Sequence, residues 1–231
     1  MKAKKLFRFA EIKKFEHVFE MPNHDDLQWQ SIKSKENIVL ELACGKGEYS
    51  VNMAKAFPNK HFIGIDIKGN RMFVGAKKAM TENIENVSFL RTRIEQLSLY
   101  FQPKSIQEIW VTFPDPFLKD GKAKNRLTHH KFLAMYQPLL KKDGSIHLKT
   151  DSLPLFEFTH EMIKYHNCNI IQSISDIYKQ GEPDFPLNIQ TFYEGMHLAE
   201  GRTIYYVNFE LPENPIEIPP KKKKYEEEAS V

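Results

Sequence analysis

Short apolar runs alternate along most of the chain with longer stretches whose apolar residues recur every three or four positions. The runs NIVLEL (37–42), HFIGIDI (61–67), NVSFLR (86–91), IQEIWVTF (106–113) and SIHLKTD (145–151) are too short for helices and predict strands. Between them, 47–57, 70–83, 126–141 and 153–166 have helical spacing, as in Phe132, Met135, Tyr136 and Leu139. Strand and helix in alternation predict an α/β fold: a mostly parallel sheet, helices on both faces, right-handed crossovers. Two later runs, IIQSISDIY and RTIYYVNFEL, predict an antiparallel hairpin that closes the sheet.

The pattern sets the expected boundaries. Residues 1–36 have no sustained period and read as an arm that docks only in part. It is basic at first (Lys2, Lys4, Lys5, Arg8, Lys13 and Lys14 against Glu11) and then carries the turn formers Pro22, Asn23 and Asp25. Residues 37–211 form the predicted domain. The stretch 212–231 joins four prolines to a lysine block and a glutamate block, and predicts a disordered tail.

Composition excludes several classes. With 41% hydrophobic and 27% charged residues, the 231-residue chain can bury a sizeable core. No apolar run approaches the roughly 20 residues of a membrane span, and the basic start is interrupted too early for a secretory signal. Cys44 and Cys168 form no CxxC pair, so neither a disulfide framework nor a zinc site is expected, and a reducing cytoplasm fits. Adjacent His129 and His130 face different ways on a helix, and no metal is expected. A net charge of +3 says little by itself. A second basic cluster, Lys119, Lys122, Lys124, Arg126 and Lys131, is a candidate RNA surface.

The candidate chemistry begins after the first strand, where Glu41, Gly45 and Gly47 form E-x-x-x-G-x-G ahead of a helix. Glycines there allow a sharp turn and close approach of a ligand. A dinucleotide fingerprint wants a third glycine where this chain has Ser50, which counts against a nicotinamide oxidoreductase. Asp66 ends the second strand, where an acid can accept both hydroxyls of a ribose. A carboxylate at Glu41 suits a ligand bearing an ammonium and a sulfonium better than a pyrophosphate, which points to S-adenosylmethionine. The fourth strand runs into VTFPDPFLKDGKAKNRL, where Pro114 and Pro116 aim Asp115 at the same edge.

ELACGKGEYS, GIDIKGNRM, FPDPFLKDGKAKNRL, HLKTD and TFYEGMHLAEGRTIY stand in the same order as the motifs of the tRNA (guanine-N7-)-methyltransferases of the TrmB type, which the chain resembles over roughly residues 37–209. The resemblance implies a class I methyltransferase fold, Rossmann-like, with methyl transfer from S-adenosylmethionine to guanosine N7 in the tRNA variable loop, at position 46. It places Glu41, Gly45, Asp66, Arg93 and Asp115 at the cofactor, with Asp115 also catalytic. Lys119, Asp151, Thr191, Tyr193 and Glu194 fall at the tRNA. Arg93 is a departure, since many relatives have an acidic or amide residue near the adenine, and only a backbone contact is expected from it. Phe117 replaces the family's tryptophan.

Guanine N7 carries a free lone pair, so alignment rather than a strong base is needed, and carboxylates at Asp115 and Asp151 would favour the charge that moves onto the ring. TFYEG offers a hydroxyl, a stacking ring and a carboxylate for the guanine amino group. The expected partner is tRNA, and the expected state a monomer or weak homodimer. Rival readings are a methyltransferase for a small molecule or protein, which has no use for the basic loop, and a non-catalytic RNA-binding subunit, which has no use for Glu41, Asp66 and Asp115 together.

Overall fold

In the computed structural model residues 2–220 are described. In chain order they form α1 (Lys2–Ile12), β1 (Val18–Glu20), α2 (Leu27–Lys33), β2 (Ile38–Leu42), α3 (Glu48–Ala56), β3 (His61–Asp66), α4 (Gly69–Thr81), β4 (Val87–Arg91) and α5 (Leu97–Tyr100). The second half contains β5 (Ile106–Thr112), α6 (His130–Tyr136), β6 (Leu140–Thr150), α7 (Leu153–Tyr165), β7 (Asn169–Ile174), α8 (Phe192–Ala199) and β8 (Tyr205–Glu210).

Every residue of β2 and β3 is buried, as expected for central parallel strands covered on both faces. Their side chains alternate between two cores. Ile38, Leu40 and Leu42 join Trp29, Tyr100, Phe132, Tyr136 and Leu155 on one face. Val39 joins Ile12, Tyr49, Met53, Phe62, Met72 and Phe89 on the other. The strand order is β1-β4-β3-β2-β5-β6-β8-β7, with β8 antiparallel to both its neighbours and the other pairs parallel. The direction of travel reverses between β2 and β5, which makes their carboxyl ends the switch point where such sheets bind ligands.

Two boundaries differ from those the sequence predicts. Residues before 37 are woven into the fold. Helix α1 lies on α4, with Phe7 edge-on to Phe73 at 6.5 Å and Ile12 fully buried. Strand β1 extends the sheet beside β4, and Trp29 on α2 is 1% exposed among Phe19, Tyr100 and Phe101. Strand β1 and helix α2, of three and seven residues, are too short for a period to emerge, and Asp26 starts α2 by accepting the Trp29 N–H at 2.9 Å. The two late strands pair antiparallel and close the sheet as the sequence predicts, with β8 placed between β6 and β7 and the segment 175–204, including α8, connecting them. Finally, the start of the expected tail is ordered. The Gln137 side chain donates to the Pro212 and Asn214 carbonyls and accepts from Ile216 N–H, and Ile216 is 7% exposed. The lysine and glutamate blocks at 221–231 lie outside the described residues.

Candidate active site

The strand ends Leu42, Asp66, Arg91, Thr112 and Thr150 share one edge of the sheet, and the loops that follow them carry the candidate residues. After β2 the chain turns through Gly45 (φ +55°) and Gly47 (φ +67°) into α3. Both values lie in the left-handed region, and a Cβ on Gly47 would stand 2.4 Å from the Phe89 ring, so only glycine fits there. Helix α4 presses on the same loop, since a Cβ on Gly75 would meet the Lys46 carbonyl at 2.5 Å.

Glu41 stands under this loop at 5% exposure. One oxygen accepts the Ser50 N–H at 2.8 Å and the Ser50 hydroxyl, and the other accepts the Thr112 hydroxyl at 2.8 Å. The residue that departs from the dinucleotide pattern, Ser50, is therefore the one that holds the carboxylate. Burial nevertheless pushes the Glu41 pKa up to about 7. Because the folded value exceeds the unfolded one, this group's contribution to stability is full below the ordinary carboxylate range and fades as pH rises through about 7. Glu41→Gln is therefore expected to flatten the loss of stability between about pH 4.5 and 7 by up to about 3 kcal/mol, measured by urea unfolding of both proteins across that range. Equal pH profiles for the two would contradict it.

Asp66 is 8% exposed, and its two oxygens accept Gly45 N–H at 3.0 Å and Lys68 N–H at 2.7 Å. This holds the carboxylate rigidly on the wall of a cavity of about 440 Å³. The cavity is also lined by Ala43, Thr92, Arg93, Asp115, Phe117 and Phe132, and its size is that of a small-molecule site. Glu41 and Gly45 are not among the lining residues. Arg93 lines it with an exposed side chain, and its carbonyl accepts the Gln96 N–H at 2.9 Å. A larger hollow of about 670 Å³, around Lys55, Asn59 and Asn86, lies near the amino ends of β3 and β4, away from all these groups.

Asp115 is exposed and lines the same cavity. The prolines flank it as the sequence predicts, but the loop is further constrained by Phe113 (φ +47°) and Phe117 (φ +44°). Such backbone costs on the order of 1–3 kcal/mol per residue and persists only where the surroundings impose it. The basic cluster divides. Lys119, Lys122 and Lys124 are exposed on a short 3₁₀ turn. Arg126 is turned inward at 8% exposure, and Lys131 pairs with Glu95 at 3.3 Å, so these two leave the candidate RNA surface.

Asp151 follows β6 and is already bridged: Arg202 donates to it at 2.7 Å, and His197 Nδ1 lies 3.6 Å away. Thr191 and Glu194 form a capping box at the start of α8. Glu194 is fully buried, contrary to the contact with guanine that the sequence suggests. Its carboxylate accepts from Lys149 Nζ at 2.7 and 2.8 Å and from the Tyr178 hydroxyl at 2.8 Å. Lys149, also fully buried, donates to the Leu187 and Ile189 carbonyls as well. Glu194 thus acts on the site by fixing Thr191 and α8. The helix is tied to the glycine loop, where Phe192 N–H donates to Glu48 at 2.9 Å and Lys46 Nζ sits 3.3 Å from the Phe192 ring centroid. Tyr193, 37% exposed, remains able to stack. Sequence reasoning missed Lys149, although a lysine inside the buried run SIHLKTD needs a buried acid. Nothing in the sequence marks Arg202 as the partner of Asp151. Among the described residues, no group of three or more His, Cys, Asp or Glu is arranged to hold a metal.

A family model described as "Putative methyltransferase" matches residues 35–207. The tRNA (guanine-N(7)-)-methyltransferase of Christiangramia forsetii is 43% identical over 219 residues, covering 90% of this chain and 97% of that protein. The chain belongs to the tRNA (guanine-N(7)-)-methyltransferase family. A further member of the family, from Porphyromonas gingivalis, is 47% identical over 178 residues, 76% of this chain and 72% of that one. Among solved structures, a variant of the 16S rRNA (adenine(1408)-N(1))-methyltransferase from Catenulisporales acidiphilia with cosubstrate SAM has a TM-score of 0.60 at 13% identity. It covers 84% of this chain and 96% of its own, a likeness of fold. The methyltransferase therefore has the class I fold, with the C-terminal strands antiparallel as predicted.

Proposed function

We propose that this methyltransferase transfers a methyl group from S-adenosylmethionine to N7 of a guanosine in tRNA, at position 46 of the variable loop. The observation that carries the reading is the pairing of the cavity of about 440 Å³, lined by both Asp66 and Asp115, with family membership over 90% of the chain. The residues fit the donor. Asp66 is held in place to accept from ribose hydroxyls, the Arg93 N–H is suited to an adenine ring nitrogen, and the glycine loop leaves room where a side chain would stand. Glu41 serves by shaping that loop. When bound, S-adenosylmethionine supplies an electrophilic methyl group on a sulfonium.

The chain's own task is alignment and charge. Guanine N7 needs no deprotonation, so Asp115 acts as a fixed negative charge beside the ring that becomes cationic. Asp151 is partly neutralised by Arg202, which assigns the larger share to Asp115. Asp151, bridged to Arg202 and lying 3.6 Å from His197 of α8, is suited to orient the substrate. Lys119, Lys122 and Lys124 supply phosphate contacts. A tRNA substrate implies a cytoplasmic site of action.

Changing Lys119, Lys122 and Lys124 together to alanine is expected to raise KM for tRNA by about tenfold or more at moderate salt and to reduce the salt slope by up to about three. S-adenosylhomocysteine binding stays unchanged, because none of the three lines the cavity. Methyl transfer to a tRNA transcript with radiolabelled donor reads KM and isothermal calorimetry reads the second quantity. Unchanged KM and slope would remove the loop from RNA binding.

A further inference from the structure

Arg126 ends the basic loop but is placed unlike its lysines. Its guanidinium donates from Nε to the Pro116 carbonyl and from Nη2 to the Phe117 carbonyl, each at 3.1 Å. The same group lies 4.5 Å over the Phe158 ring of α7. The side chain is 8% exposed and has no carboxylate partner among the described residues. A buried guanidinium needs compensating partners, and here two consecutive carbonyls accept two of its N–H groups while an aromatic face lies under its plane.

Those carbonyls belong to the two residues directly after Asp115. The second, on Phe117, closes a turn held at φ +44°, a conformation phenylalanine rarely adopts unaided. Arg126 N–H also donates to the Ala123 carbonyl at 3.0 Å, so the loop returns to its origin at this residue. We infer that Arg126 is a positioning residue: it straps the 113–117 loop to α7 and so fixes where the Asp115 carboxylate stands on the cavity wall, with no part in binding phosphate. A planar fork is required to reach two carbonyls while lying on a ring, which an ammonium cannot do. The inference rests on the proposed role of Asp115.

The test compares full-length Arg126→Ala, Arg126→Lys and Phe158→Leu with Lys119→Ala, using tRNA transcript and S-adenosylmethionine. The expected result is a fall in kcat of about 10²-fold for Arg126→Ala and a similar fall for Arg126→Lys, because a displacement of about 1 Å has that effect. KM for tRNA and the salt slope stay near wild type, and millimolar guanidinium chloride restores part of the kcat of Arg126→Ala alone. Phe158→Leu, which keeps the apolar contact but removes the ring face, shows the same split in weaker form and decides the matter if the Arg126 variants do not fold. Raised KM with a shallower salt slope and unchanged kcat, as expected for Lys119→Ala, would overturn the inference. So would full activity in Arg126→Lys. An active Asp115→Ala variant would instead fault the reading on which the inference rests, whatever Arg126 does.

Discussion

Replacing Asp115 by alanine is expected to abolish measurable methyl transfer and to leave the fold intact. The carboxylate is exposed on the cavity wall and has no ion pair among the described residues, so its removal strands no buried partner. Loss of a preorganised charge facing a developing cation lowers kcat by on the order of 10²–10³-fold, and the loss is greater where the charge also orients the bound donor. Asp115→Asn keeps the shape without the charge and should recover little. Steady-state methylation beside thermal unfolding checks both halves: turnover near wild type in the alanine variant would remove Asp115 from the chemistry. A large fall in melting temperature would make the loss one of stability.

The largest stability effect is expected from Lys149→Met. Lys149 and Glu194 are each 0% exposed, and the lysine also satisfies two carbonyls of the 175–190 segment. Removing one member of a buried pair leaves the other charge uncompensated, at about 3–5 kcal/mol. Burial alone already draws the Lys149 pKa down, and the Glu194 carboxylate opposes that shift. The double variant Lys149→Met with Glu194→Gln should regain part of the loss, since no unpaired charge is left behind. Urea unfolding of the single and double variants gives the coupling, and additive losses would show that the pair does not act as a unit. Because Glu194 sits in the first turn of α8, KM for tRNA should rise in the single variant more than cofactor affinity falls.

Much of this arrangement is legible in the chain, and the exceptions have physical causes. Strands such as β2 and β3 announce themselves because burial on both faces demands unbroken apolar runs. Asp66 could be placed from its position alone, since a strand end carries it to the sheet edge. Residues before 37 read as an arm because β1 and α2 are short, and because α1, β1 and α2 owe their stability to α4, β4 and the pocket around Trp29. The insertion of β8 between β6 and β7 depends on pairing among distant segments, which local periodicity does not encode. In the site, charge type was visible but partner was not. Glu194, Arg126 and Asp151 look alike as exposed polar residues in sequence, yet one is buried against a lysine, one straps a loop, and one is bridged by Arg202. Burial of a charge is decided by what the fold brings opposite it.

The most direct test of the central claim is to incubate the protein with radiolabelled S-adenosylmethionine and an unmodified tRNA transcript, then cleave with aniline at N7-methylated guanine. A single cleavage in the variable loop, at position 46, is the predicted result. Label incorporated without that cleavage would keep the methyltransferase and refute guanine N7, and no label despite cofactor binding would refute tRNA as the substrate.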